Sequence, residues 1–242
     1  MVDLLPLSGR RALVTGAASD IGRAVCAELE ALGADVVASD LPGAGLEALS
    51  KEGVELRPAD LSSMPDVVAL CATPADILVS VAGFANVERF STSDTTLWEK
   101  LWQINLRAPM LLTRELMAPM TERGWGRLVY ISSDSARAGA AGEAAYSATK
   151  AGLLGFAKSI AREVAAAGVT ANVLCPGVID TARSREILDG HGNMREALLR
   201  AIPARRLGEP ADVASAVGYL CTPAAGYLTG QVLSVNGGIT MV

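Results

Sequence analysis

Short apolar segments alternate with longer amphipathic ones along the chain. The apolar segments predict seven strands, at residues 11–15, 34–39, 54–57, 77–81, 128–131, 169–174 and 231–235. Between them, apolar positions recur every three or four residues, as at Ile21, Val25 and Leu29, which predicts helices. Strands that alternate with helices favour a parallel sheet covered on both faces. The pattern predicts an α/β fold: a single Rossmann-type doubly wound domain over residues 1–242, with about seven parallel strands.

Composition fits one such domain and argues against several other classes of protein. The 242 residues, 50% of them hydrophobic, can form one sizeable core. A net charge of -5 without a run of Lys and Arg argues against a nucleic-acid partner. No export signal and no CxxC pair is visible, so a cytoplasmic location is expected. The uncharged residues 213–242 are interrupted by glycine and proline, which argues against a membrane span.

A glycine-rich turn follows the first predicted strand and resembles a phosphate-binding loop. Gly16 and Gly22 flank the start of a helix, whose N–H groups and positive end can bind a pyrophosphate. Asp20 stands between them, where a carboxylate would compete with phosphate or cap the helix. Asp40, at the end of the second strand, is suited to bind ribose hydroxyls and repel a 2′-phosphate. Neither Ser19 nor Leu41 could hold that phosphate, so NAD is predicted rather than NADP.

Three polar residues form the main candidate for catalysis. Tyr146 and Lys150 are four positions apart in a predicted helix, so the ammonium would lie beside the phenol and favour the phenolate. That makes Tyr146 a candidate general base. Ser133 follows an apolar strand and can donate a hydrogen bond to a substrate oxygen. The arrangement predicts chemistry on alcohols and ketones. No cluster of metal ligands is visible, and the single His191 is expected in a loop.

These motifs resemble the short-chain dehydrogenase/reductase family over residues 10–241. The resemblance implies an NAD-dependent enzyme that interconverts a secondary alcohol and a ketone on a small-molecule substrate, and a homotetramer. It implies that the catalytic residues are Asn105, Ser133, Tyr146 and Lys150, with Asn105 holding a proton-relay water. The implied cofactor-binding residues are Gly16, Ser19, Asp20, Ile21, Gly22, Asp40, Asp60, Leu61, Ala82, Gly83, Tyr146, Lys150, Pro176, Gly177, Ile179 and Thr181.

The substrate is less clear from the sequence. The polar, weakly periodic residues 182–206 are predicted to form a substrate lid. Arg137 and Glu143 resemble residues of dehydrogenases that act on cyclic hydroxyacyl-CoA thioesters, so NAD-linked oxidation is the first hypothesis. One alternative is an NADPH-dependent 3-oxoacyl-ACP reductase, which the C-terminal LTGQVLSVNGG also resembles. Another is a non-catalytic dinucleotide-binding scaffold or sensor, because Asp20 replaces a family glycine.

Overall fold

One parallel sheet carries the fold. The computed structural model describes residues 5–50, 53–190 and 192–242. The strands are β1 (Arg11–Thr15), β2 (Asp35–Ser39), β3 (Val54–Leu56), β4 (Ile77–Ser80), β5 (Gly126–Ile131), β6 (Val169–Pro176) and β7 (Val232–Val235). Their order in the sheet is β3-β2-β1-β4-β5-β6-β7. The predicted α/β doubly wound class is therefore confirmed.

Helices cover both faces of the sheet, which explains why the central strands are mainly apolar and do not alternate. Every residue of β4, β5 and β6 is buried. The helices are α1 (Asp20–Ala31), α2 (Met64–Cys71), α3 (Thr95–Trp102), α4 (Ala108–Glu122), α5 (Ser135–Ala138), α6 (Ala144–Val164), α7 (Ala182–Asp189), α8 (Met194–Ala201) and α9 (Pro210–Cys221). One apolar cluster packs α1 and α9 against one face of the sheet, and a second packs α2, α4 and α6 against the other face.

The segment that carries Asn105 joins two helices, α3 and α4. A π-helical turn, Gln103–Arg107, joins α3 to α4 and contains Asn105, which is fully buried. Such turns widen a helix locally and occur often at functional sites.

The strand order reverses between β1 and β4, and this reversal positions the candidate site. The chain builds β1, β2 and β3 outward in one direction, then returns to place β4 on the other side of β1. Ligands of doubly wound folds bind at the carboxyl ends of the strands beside such a reversal. The predicted lid, residues 182–206, follows β6 at this edge and folds as α7 and α8 around Leu188, Ile202 and Leu207. None of the described helices is long and apolar enough to cross a membrane.

Candidate active site

A cleft of about 720 Å³ opens at the carboxyl ends of the strands, beside the reversal. Segments that are far apart in sequence line it: the glycine-rich loop, the ends of β2, β4, β5 and β6, and the start of α7. The structure brings nearly all the predicted site residues to this one cleft. The two that do not line it are Gly22 and Asn105, which lie behind its wall. A cleft of this size is typical of a small-molecule site.

The two loop glycines permit close packing of backbone against backbone. Gly16 has φ +70°, and a Cβ there would lie 2.5 Å from the Ala82 nitrogen. A Cβ on Gly22 would lie 2.0 Å from the Gly16 carbonyl oxygen. Only glycine allows α1 to begin this close to the loop. Gly22 therefore has a packing role behind the loop, and its contact with the cofactor stays a prediction.

The N-cap of α1 is Ser19, not Asp20. The Ser19 hydroxyl accepts a hydrogen bond from the Gly22 nitrogen at 3.0 Å and donates one to the Gly16 carbonyl at 2.7 Å. The Asp20 carboxylate turns across the cleft and accepts a hydrogen bond from the Ala182 nitrogen at 2.7 Å. Of the two roles that the sequence left open for Asp20, capping its own helix does not occur, because Ser19 already satisfies the free amide there.

Asp40 is fixed by backbone amides at the end of β2. Its carboxylate accepts hydrogen bonds from the Ala18 and Leu41 nitrogens, both at 2.8 Å. Arg23 donates to the carbonyls of Ala18 and Gly45 and does not line the cleft. A carboxylate held in this way presents negative charge to this end of the cleft.

Two hydroxyl groups that the sequence analysis missed lie in the same wall. Thr15 Oγ1 and Ser39 Oγ are buried and have no hydrogen-bond partner within the described part of the chain. Both residues end a strand and line the cleft. Unsatisfied buried hydroxyls cost free energy unless a ligand or water completes them. They therefore fit the polar ribose and phosphate groups of a dinucleotide, and their place at strand ends was the signal that could have identified them.

Ser133, Tyr146 and Lys150 meet on the opposite wall of the cleft. The Ser133 hydroxyl lies near the Tyr146 phenol and acts to lower its pKa. The Lys150 Nζ lies 6.0 Å from the centre of the Tyr146 ring and donates to the Ile131 carbonyl at 2.8 Å. Gly83 leaves room for the ammonium, because a Cβ there would lie 3.1 Å from Nζ. One hydroxyl pair and one cation thus converge on the cleft.

Burial has the largest effect on the pKa values of Tyr146 and Lys150. It raises the pKa of the Tyr146 phenol, although the Ser133 hydroxyl acts in the opposite direction. It also lowers the pKa of Lys150 to about 8. The prediction that Lys150 lowers the pKa of Tyr146 was wrong for the protein alone, since desolvation is the larger effect and Lys150 is bonded to Ile131.

Asn105 connects the loop after β4 to the helix that carries Tyr146. Its Oδ1 accepts from the Phe84 nitrogen at 2.8 Å, and its Nδ2 donates to the Phe84 carbonyl at 2.8 Å. The same Nδ2 donates to the Thr149 hydroxyl at 3.2 Å. These bonds place Asn105 beside Lys150 but outside the cleft surface.

The residues that suggested a cyclic acyl-CoA substrate have structural partners instead. Arg137 donates to the Val232 carbonyl at 3.2 Å and to the Ser234 hydroxyl at 3.0 Å, so it holds α5 against β7. Glu143 accepts from the Ser135 hydroxyl at 2.6 Å. His191 lies outside the described residues, and the residues that are described contain no group of metal ligands.

Comparison with known proteins gives matches along almost the whole chain. The family model described as enoyl-(acyl carrier protein) reductase matches residues 16–240. Nodulation protein G of Rhizobium sp. (strain N33) is 40% identical, over 99% of this chain and 100% of the relative. The 3-oxoacyl-acyl-carrier-protein reductase FabG of Escherichia coli (strain K12) is 37% identical, over 97% of this chain and 98% of the relative.

A further relative and a solved structure agree with these matches. Acetoacetyl-CoA reductase of Allochromatium vinosum is 36% identical, over 96% of this chain and 99% of the relative. A solved structure described as a short chain dehydrogenase/reductase family protein superposes with a TM-score of 0.89 at 33% identity, covering 96% and 98% of the two chains.

Proposed function

The chain belongs to the short-chain dehydrogenase/reductase family, and from this we propose that it reduces the ketone of a 3-oxoacyl thioester to a secondary alcohol, with NADH as the reductant. The observation that carries the proposal is the grouping of Ser133, Tyr146 and Lys150 in one cleft with the glycine-rich loop. The names of the Escherichia coli and Allochromatium vinosum relatives support the thioester, since both describe reduction of a 3-oxo group.

The hydroxyl pair would polarise and protonate the substrate. Ser133 and Tyr146 would both donate hydrogen bonds to the ketone oxygen, and Tyr146 would transfer its proton as the alcohol forms. A bound dihydronicotinamide would supply the hydride. Because burial raises the pKa of Tyr146, the phenol keeps its proton at neutral pH. The protonated phenol is the form that reduction requires, whereas oxidation, the direction first expected from the sequence, requires the phenolate.

Residues on the opposite wall would hold the dinucleotide. The backbone of Gly16 to Ile21 would face the pyrophosphate, and Asp40 the adenosine ribose. Asp60 and Leu61, which also line the cleft, would contact the adenine. Lys150 would bind the nicotinamide ribose, while Asn105 would hold a relay water. The remaining proposed contacts, at the nicotinamide end, are Ala82, Gly83, Pro176, Gly177, Ile179 and Thr181.

The preference for NADH over NADPH rests on charge at the end of β2. The Asp40 carboxylate would repel a 2′-phosphate, and the adjacent Leu41 offers no cation. Arg23, whose guanidinium bonds to two carbonyl groups, is not directed into the cleft. The alternative, which the relatives leave open, is that the same site uses NADPH as the reductant.

The test is turnover of acetoacetyl-CoA, followed by loss of dihydronicotinamide absorbance with NADH and with NADPH. Tyr146→Phe should lower kcat by at least about 100-fold, because the proton donor is lost, and should leave the affinity for NADH unchanged. A variant that retains most of the rate would refute the role of Tyr146. Binding of NADH without turnover of any alcohol or ketone would favour the scaffold hypothesis, and faster turnover with NADPH would refute the cofactor assignment.

We also propose a cytoplasmic homotetramer. The uncharged C-terminal residues expose apolar surface, with Tyr219 51%, Leu233 37% and Tyr227 101% accessible, and such surface is commonly buried between subunits. The cysteines form no disulfide among the described residues, as expected in a reducing compartment. Light scattering after size exclusion should give four times the chain mass of 25.0 kDa, and a monomer would contradict the proposal.

A further inference from the structure

Two consecutive residues at the start of α7 bond to opposite walls of the cleft. The Ala182 nitrogen donates to Asp20 Oδ2 at 2.7 Å, on the glycine-rich loop. The Arg183 guanidinium donates to the Ala85 carbonyl at 2.9 Å, on the loop after β4. All four residues line the cleft. The first turn of α7 therefore lies across the cleft and is bonded on both sides.

The bond to Asp20 is electrostatically favourable. Ala182 is the first residue of α7, so its N–H is one of the free amides at the positive end of that helix. A carboxylate that accepts from such an amide forms a charge-assisted hydrogen bond, which is stronger than a neutral one. The glycine found at position 20 in the family pattern has no acceptor to offer. The contact joins residues 162 positions apart and depends on this aspartate.

The rest of α7 is anchored independently of Asp20. Leu188 is buried with Ile202 and Leu207 in a separate apolar cluster. The Thr181 hydroxyl caps the helix by accepting from the Ser184 nitrogen at 3.1 Å. Loss of the Asp20 bond should therefore release the first turn from the glycine-rich loop, while the helix cap and the packing of the remaining lid are kept.

We infer that Asp20 is a positioning residue that holds the first turn of α7 across the cleft, so that the dinucleotide enters and leaves when this bond opens. The hold on α7 follows from the contacts above. The effect on the dinucleotide rests on the proposed function. Asp20 could instead act only by repelling the pyrophosphate. In that case, replacing Asp20 would not change the mobility of α7.

Substitution with alanine and with asparagine distinguishes the two roles. Asp20→Ala removes both the charge and the acceptor, whereas Asp20→Asn removes the charge but keeps a carbonyl oxygen that Ala182 can donate to. Glu163→Gln is the matched control, because it removes one exposed carboxylate on α6, about 25 Å along the helix from Tyr146. Asp20→Ser, whose side chain is shorter, replaces the alanine variant if that variant does not fold.

Hydrogen–deuterium exchange of the full chain, without nucleotide, is the first measurement. In Asp20→Ala, amides of residues 182–187 should exchange about three- to tenfold faster, as local opening becomes easier, while peptides from 195 to 207 stay unchanged. Asp20→Asn should keep most of the protection, and Glu163→Gln should keep all of it. Unchanged exchange in Asp20→Ala would overturn the inference, whatever the protein binds.

The second measurement is the dissociation rate of NADH by stopped-flow fluorescence. Positioning predicts that Asp20→Ala releases NADH several-fold faster and that Asp20→Asn stays near the wild-type rate. Repulsion predicts that both variants bind NADH more tightly and to the same extent, and that result would overturn the inference. If the wild-type protein binds no nucleotide but the exchange result is as expected, the hold on α7 stands and the proposed function fails.

Discussion

Replacing Lys150 with methionine should make the protein inactive and more stable. The Lys150 ammonium is 3% exposed, and burial lowers its pKa from the usual 10.5 to about 8. At about 1.36 kcal/mol for each pKa unit, the charged form costs the folded state about 3 kcal/mol at pH 7. Methionine has a similar length and no charge. The variant leaves the Ile131 carbonyl without its 2.8 Å donor, at a cost of about 1 kcal/mol. The expected net gain is about 2 kcal/mol in the free energy of unfolding.

The pKa of Lys150 also determines how the stability gained in Lys150→Met depends on pH. Below pH 8 the lysine is charged in both the folded and the unfolded chain, so the full penalty is present. Between pH 8 and 10.5 the unfolded chain binds more protons than the folded one, and wild-type stability therefore rises with pH. The methionine variant lacks this rise. Its advantage should fall from about 2 kcal/mol at pH 7 to about zero at pH 10.

Urea unfolding at pH 7 and pH 10, at one protein concentration, measures both quantities. Lys158→Met is the matched control, because Lys158 is exposed on the same helix and its replacement should change stability by less than about 0.5 kcal/mol. A Lys150→Met variant that is less stable than wild type at pH 7 would refute the reasoning. So would a difference in stability that does not change with pH.

Two further predictions concern the walls of the cleft. Gly83→Ala places a Cβ 3.1 Å from Lys150 Nζ, so the ammonium must shift, and kcat should fall about tenfold, equivalent to about 1.4 kcal/mol. The control is Gly155→Ala, where a Cβ meets nothing within 4 Å. It should keep kcat and raise the free energy of unfolding by about 0.5–1 kcal/mol. Equal kcat values in the two variants would contradict the expected effect of Gly83→Ala. Asp40→Asn keeps an acceptor for the Ala18 amide but removes the charge, so in fluorescence titrations the affinity for NADPH relative to NADH should rise about tenfold. An unchanged ratio would show that Asp40 does not set the preference.

The fold and the composition of the site could be predicted from the sequence, because both depend on local patterns. Strands buried on both faces are mainly apolar, as in β4, and the spacing between the strands is enough for helical crossovers. Parallel strands in a doubly wound order bring their carboxyl ends to one edge. Residues at those ends, such as Asp40 and Ser133, therefore had to line a common cleft.

Only the tertiary structure decided what several of these residues do there. The sign of the pKa shift of Tyr146 depends on how much water is excluded around it, which is set by segments distant in the chain. The ammonium of Lys150 bonds to Ile131, on a different element. The local sequence around Asp20 suggested a helix cap, but its partner Ala182 is 162 positions away. Local sequence determines which groups reach the cleft, whereas desolvation and hydrogen bonding depend on which segments pack together, and only the folded chain fixes that.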